Sequence, residues 1–250
     1  MSRRRLLGQH TLIDPTVVNA IVEAAELKGD EVVYEIGTGS GVLTERLCKA
    51  ASRVISSEID EELYNAALSR LNYPNLILVK GDGFNIDVAF DVFVSSLPYR
   101  SSSRFIRWLL GKRFKRAVVL LQKDFVDKLL AEVGSKHYRA VSVLAQYAFN
   151  ISPILSVPPT AFSPKPKVHS SVVVVTPKPN VDLSGEVVKT VYKLFALRKK
   201  KVSTALKILT KDVELGCLPQ DLLVKRIAAL TPSEAIGLAE LLVKRYDRTL

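Results

Sequence analysis

Short apolar runs alternate with amphipathic stretches along most of this chain. Residues 31–35 (EVVYE) form a run that stops at Gly37, and over 40–51 Val42, Leu43, Leu47 and Ala50 recur at helical spacing. The alternation continues with strands predicted at 53–57, 76–80, 91–95 and 117–121, and helices at 61–71 and 103–110. Strands that alternate with helices predict a parallel, doubly wound α/β sheet. Residues 123–133 and 140–148 read as helices. Strands at 151–157 and 170–176, with prolines packed between them, predict a hairpin that closes one sheet edge. Pro177, Lys178, Pro179 and Asn180 read as a linker, and only helical periodicity follows. The expected organisation is an α/β domain over 1–179 and a small all-helical domain over 180–250, without internal repeats.

Composition narrows the class. The chain has 250 residues, 48% of them hydrophobic and 24% charged, which suits a globular protein with a substantial core. Cys48 and Cys217 cannot make a disulfide framework. No apolar stretch follows Arg3, Arg4 and Arg5, so the start does not read as a secretory signal, and no run approaches the roughly 20 apolar residues of a spanning helix. A soluble, cytoplasmic monomer is expected. His10, His137 and His169 have no metal-ligand spacing, so no metal is expected. With 36 basic and 25 acidic side chains the net charge is +11, which suits a polyanionic partner such as nucleic acid.

The first chemical motif is Glu35-Ile36-Gly37-Thr38-Gly39-Ser40-Gly41, between a predicted strand and helix. Glycines there let the backbone turn sharply and approach a ligand. The dinucleotide fingerprint G-x-G-x-x-G needs glycine at 42, where Val42 stands. The E-x-G-x-G-x-G spacing fits S-adenosylmethionine better, with Gly37, Gly39 and Gly41 wrapping its amino-acid end. The next strand ends at Glu58, where an acid accepts hydrogen bonds from ribose hydroxyls. The third leads to Gly81-Asp82, where an acid takes an adenine amine. Ligands of open α/β sheets bind at such strand ends.

The fourth strand runs into Ser95-Ser96-Leu97-Pro98-Tyr99. A polar residue, an apolar one and Pro-Tyr is the pattern of enzymes that methylate exocyclic amines of bases. The lone pair of such an amine is delocalised into the ring. Acceptors on its two hydrogens, here the Ser96 hydroxyl and the Leu97 carbonyl, hold the nitrogen toward tetrahedral geometry for in-line attack. Pro98 stiffens the turn, and Tyr99 offers a stacking face. The proline-dense segment 158–170 presents Phe162 as a second aromatic, with Lys165 and Lys167 beside it for phosphates.

These motifs together resemble the ribosomal RNA adenine dimethyltransferases that modify two adjacent adenosines near the 3' end of small-subunit rRNA. Gly8-Gln9-His10-Thr11-Leu12 is similar to the family's opening motif, which implies cofactor contacts for Gln9, His10 and Leu12. Residues 35–41, Glu58, Asp82, 96–99 and 162–168 follow in the family's order. Residues 195–206, with Arg198-Lys199-Lys200-Lys201, resemble its first C-terminal basic helix. The resemblance implies a Rossmann-like methyltransferase domain, a helical domain, S-adenosylmethionine as cofactor, a flipped target adenosine and a role in ribosome biogenesis. It also implies that Arg3, Arg4, Arg5, Lys112, Arg113, Lys115, Arg116 and residues 198–201 grip the RNA backbone. Ser96 stands where the family usually has asparagine, which leaves open a second reading as an RNA-binding assembly or transcription factor with weakened catalysis.

Overall fold

The computed structural model describes residues 10–210 and 218–246. Its strands are β1 (Thr11–Leu12), β2 (Val32–Ile36), β3 (Arg53–Glu58), β4 (Leu76–Lys80), β5 (Val92–Ser96), β6 (Arg116–Gln122), β7 (Phe149–Val157), β8 (Phe162–Ser163) and β9 (Ser170–Pro177). Its helices are α1 (Pro15–Ala24), α2 (Val42–Ala50), α3 (Glu61–Arg70), α4 (Ser102–Leu109), α5 (Lys123–Leu129), α6 (Ala140–Ala148), α7 (Gly185–Ala196), α8 (Val202–Leu209), α9 (Gln220–Val224) and α10 (Pro232–Tyr246). Arg3, Arg4, Arg5, Gln9 and Cys217 lie outside the described residues.

The main sheet has seven strands in the order β4-β3-β2-β5-β6-β9-β7. The pairs β3–β4, β2–β3, β2–β5 and β5–β6 are parallel, and β6–β9 is antiparallel. The alternating α/β pattern therefore has the architecture read from the sequence. Inner strands such as β6 (RAVVLLQ) are covered on both faces, which is why they read as continuous apolar runs. The expected hairpin differs in its connection. Between β7 and β9 the chain makes a 3₁₀ turn and then β8, which pairs antiparallel with β1 as Leu12↔Phe162 and Thr11↔Ser163. Helix α1 starts at a cap the sequence carries in plain sight, Asp14 accepting from the Thr16 amide, with Pro15 following.

At the end of the sheet where the parallel strands begin, Glu31 is almost wholly buried. Arg116 meets it with two bonds of 2.9 and 2.6 Å, and Lys115 sits 3.5 Å away. The bidentate Arg116 contact holds the Glu31 carboxyl down at about 2 despite the burial. Lys115 is also 3.1 Å from Asp91, and Lys112 is 3.9 Å from Asp87. Arg116 and Lys115, expected to grip RNA, are thus tied to carboxylates of their own sheet.

The chain forms two compact units, one of the described residues up to Val126 with Asn150–Pro177, the other of Asp127–Phe149 with the described residues from Lys178 onward. The second unit therefore takes in residues 127–149, which periodicity alone assigns to the first domain. Within it α6, α7 and α10 pack together. Tyr138 is fully buried and donates to the Leu230 carbonyl over 3.1 Å. A capping box starts α10: the Thr231 hydroxyl accepts from the Glu234 amide and the Glu234 carboxylate from the Thr231 amide.

The basic run 198–201 is not helical. It forms the turn between α7 and α8, because its backbone pairs sideways instead: the Ile227 amide donates to Lys200, the Ala228 amide to Arg198 and the Val202 amide to Lys225. Lys199, Lys200 and Lys201 are exposed, whereas Arg198 is half-buried and donates to the Ser135 carbonyl over 3.0 Å.

Candidate cofactor and substrate site

The strand order reverses at β2, whose neighbours are β3 and β5. Loops leaving the carboxyl ends of β2 and β5 therefore diverge and open a crevice there. The first loop turns immediately after β2. The Gly37 and Thr38 amides both donate to the Ser57 carbonyl, at 2.8 and 3.2 Å, which folds the loop over the end of β3. Gly37 has φ +90° and Gly39 φ +55°, values that favour glycine. A Cβ built on Gly37 meets nothing within 4 Å, and one on Gly39 meets only the Gly37 carbonyl at 3.9 Å. Their bare faces look onto open space, as a backbone that cradles a ligand does.

That space is a cavity lined by His10, Leu12, Glu35, the 37–40 loop, Glu58, Ser96 and Pro98. A second cavity adjoins it, sharing Gly37, Glu58 and Pro98 and extending past Ile59 to Asp82 and Arg104. Gly37, Gly39, Glu58, Asp82 and residues 96–98 therefore gather at the ends of the four strands β2 to β5, whereas Gly41 and Tyr99 line neither cavity, and a Cβ on Gly41 would meet Arg70 and Leu71 instead. Glu58 is buried, one oxygen accepting from the Gly39 amide at 2.8 Å and the other from the Asp60 amide at 2.9 Å. A carboxylate has about four acceptor positions, so Glu58 retains capacity for a ligand's hydroxyls. Asp82 accepts from the Phe84 amide at 3.1 Å and from Arg104 at 2.7 Å.

Beneath the loop lies a polar network that the sequence does not announce. Glu35 is fully buried and accepts from Thr44 and Ser56, both at 2.6 Å, while Thr38 shares a 2.6 Å bond with Ser56. Burial raises the Glu35 carboxyl to about 7, the two hydroxyl bonds opposing and the nearby Glu58 charge adding. A raised acid is neutral in the fold and charged in the unfolded chain across pH 4.5 to 7, so it subtracts stability increasingly over that window. The Glu35→Gln chain should therefore gain on the native chain by a few kcal/mol between pH 4.5 and 7, read as the difference of their denaturant midpoints at each pH. A difference that stays flat with pH would contradict it.

At the end of β5, Ser95 donates to the Ile36 carbonyl over 2.6 Å and anchors the strand. Ser96 reaches the first cavity, and Leu97 is 3% exposed. The Tyr99 hydroxyl is tied to Ser170 at 2.8 Å, and the His10 ring lies 5.5 Å from the Tyr99 ring at 35°. His10 is itself fixed by a 2.7 Å bond to the Pro164 carbonyl. Phe162, beside Leu12 of the cavity lining, is buried. It is 4% exposed within the apolar core of Leu12, Val157 and Ala161, drawn in by the β1–β8 pairing, so it offers no open stacking face. Lys165 and Lys167 are exposed on the loop after it. Among the described residues no helix is long and apolar enough to cross a membrane.

Comparison with known proteins agrees with this geometry. A family model described as "Ribosomal RNA adenine dimethylase" matches residues 1–235. A protein of Thermococcus gammatolerans named "Probable ribosomal RNA small subunit methyltransferase A" is 35% identical over 247 residues, covering 94% of this chain and 87% of its own. One of the same name from Pyrococcus abyssi is 34% identical, covering 94% and 90%. Among solved structures, a dimethyladenosine transferase from Plasmodium falciparum superposes with TM-score 0.80 at 27% identity, covering 94% of this chain and 98% of its own.

Proposed function

The chain belongs to the ribosomal RNA adenine dimethylase family, and from that premise we propose that it dimethylates the exocyclic amines of two adjacent adenosines near the 3' end of small-subunit rRNA. S-adenosylmethionine, the methyl donor in this reading, supplies an electrophilic methyl on a sulfonium sulfur. The observation that carries the reading is that Ser96 lines the same cavity as the glycine loop, so an amine acceptor and a donor cradle share one space. The bare backbone at Gly37 and Gly39 fits the donor's amino-acid end, Glu58 its ribose and Asp82 its adenine.

On the substrate side, the Ser96 hydroxyl and the Leu97 carbonyl accept the two amine hydrogens and aim the nitrogen lone pair into the cavity. Tyr99, its hydroxyl fixed by Ser170, gives the flipped base a ring to stack on. The alkylated amine is acidic and releases its proton to water. Phosphates are held by exposed Lys165, Lys167, Lys199, Lys200 and Lys201, with Arg3, Arg4 and Arg5 added from the N-terminal segment. The work belongs to assembly of the small subunit in the cytoplasm.

The test is labelled-methyl transfer to purified, undermodified small subunits, followed by mapping of the modified nucleotides. The expected result is two neighbouring dimethyladenosines near the 3' end. Transfer no greater than in a no-enzyme control, with RNA binding retained, would favour the assembly-factor reading that Ser96 suggests. A modified position in large-subunit rRNA or DNA would move the chain to another substrate. Within this reading, Ser96→Ala should lower kcat about tenfold with little change in donor affinity, and Ser96→Asn should raise it. Steady-state kinetics decide, and an unchanged kcat in Ser96→Ala would show that the hydroxyl is not an acceptor.

A further inference from the structure

Arg104 stands on α4, one turn beyond the Ser-Leu-Pro-Tyr element, and no motif of the sequence points to it. Its guanidinium nonetheless makes three contacts at the rim of the second cavity. One terminal nitrogen donates to Asp82 Oδ2 over 2.7 Å and the other to Asn85 Oδ1 over 2.9 Å. Its plane lies over the Phe84 ring, 4.7 Å from the centroid. Arg104 and Asp82 both line the cavity, with Gly81, Ile59 and Pro98. Held from three sides, the arginine ties together the side chains of Asp82, Phe84 and Asn85, over a turn whose backbone is closed by the Asn85 amide on the Asp82 carbonyl at 2.8 Å.

The acceptor arithmetic of Asp82 follows. Oδ1 accepts from the Phe84 amide, and Oδ2 accepts from Arg104 and, at 3.4 Å, from the Asn85 side-chain amide. Of the roughly four acceptor positions of a carboxylate, three are taken and one on Oδ1 remains. One free acceptor matches one hydrogen of a 6-amino group. Freed of Arg104, the carboxylate could rotate and present either oxygen, which would loosen its choice of partner.

We propose that Arg104 is a positioning residue that orients Asp82 so that a single carboxylate oxygen reads the 6-amino group of the donor's purine. The proposal rests on the reading of Asp82 as the adenine acceptor. Arg104 touches no reacting atom, so its effect falls on donor recognition and not on the methyl-transfer step.

The experiment measures calorimetric affinities for S-adenosylmethionine and for its 6-oxo analogue, which lacks the amine, in the native chain and in Arg104→Met, Arg104→Lys, Asp82→Asn and the Arg104→Met/Asp82→Asn double variant. Arg104→Met should weaken the natural donor about tenfold and the analogue little, so the ratio of the two collapses. Arg104→Lys, which keeps the charge but not the fork, should recover part of the loss. The double variant should lose no more than Asp82→Asn alone, because both changes break one device. In Arg104→Met the loss should appear as a raised KM for the donor rather than as a lowered kcat. Equal weakening of donor and analogue, or native affinity in Arg104→Met, would overturn the proposal while leaving Asp82 in its role. Native affinity and discrimination in Asp82→Asn would overturn both.

Discussion

Replacing Gly39 with leucine should abolish donor binding while leaving the chain folded. The two effects separate because of where the residue sits. At φ +55° a leucine is strained by about 1–2 kcal/mol, which lowers Tm by only a few degrees in a chain of this size. No steric cost adds to this, since the new Cβ meets only the Gly37 carbonyl at 3.9 Å. The rest of the side chain, however, projects into the cavity that Glu58 and Ser96 also line. Affinity should fall at least about a hundredfold, roughly 2.7 kcal/mol or more. Calorimetric titration beside a melting curve checks both halves. Undiminished affinity would mean that the glycine loop holds something else, and a chain that fails to fold would mean that the loop is structural.

Arg116→Met should be the most destabilising single change at the opposite end of the sheet, by about 3–5 kcal/mol. The substitution strands Glu31, which is 1% exposed, leaving Lys115 at 3.5 Å and the Lys28 amide, among the described residues, to answer its charge. It also removes the donors that reach the carbonyls of Ala25 and Glu26 from β6. For a domain of this size that is a Tm loss of roughly 6–20 °C. The sign with pH follows from the depressed Glu31 carboxyl. Its contribution is fully present above the ordinary carboxylate value of 4.5 and is lost as pH falls through about 2, so the native chain's advantage over the variant should shrink on acidification. Affinity for RNA per folded molecule should not change, because Arg116 is committed within the sheet. A weaker RNA complex from a chain of unaltered stability would restore the role that its charge alone suggested.

The strand-end acids and the glycine loop were legible because each is a local signal: a run of apolar residues, then a residue type the turn demands. Glu58 and Asp82 could be placed by counting strands. What escaped was set by contacts between distant segments. Phe162 reads as a displayed aromatic until β8 pairs with β1, which draws its ring into the core. The basic run 198–201 reads as a helix until residues 225–228 claim its backbone. Residues 127–149 belong with the helical unit through packing of α6 on α7 and α10, which periodicity cannot express. The buried partners of Glu35 and the hold of Arg104 on Asp82 are side-chain meetings across 9 to 22 positions. Helix α1 also carried usable signals, the Asp14-Pro15 start and Val17, Val18 and Ile21 at helical spacing.

A crystal of the chain grown with S-adenosylmethionine asks the central question without an assay. The sulfonium sulfur should lie in the cavity between the glycine loop and Ser96, the ribose hydroxyls on Glu58, the methyl directed toward residues 96–99. Density for the donor at any other place, or a methyl turned away from Ser96 and Leu97, would contradict the account.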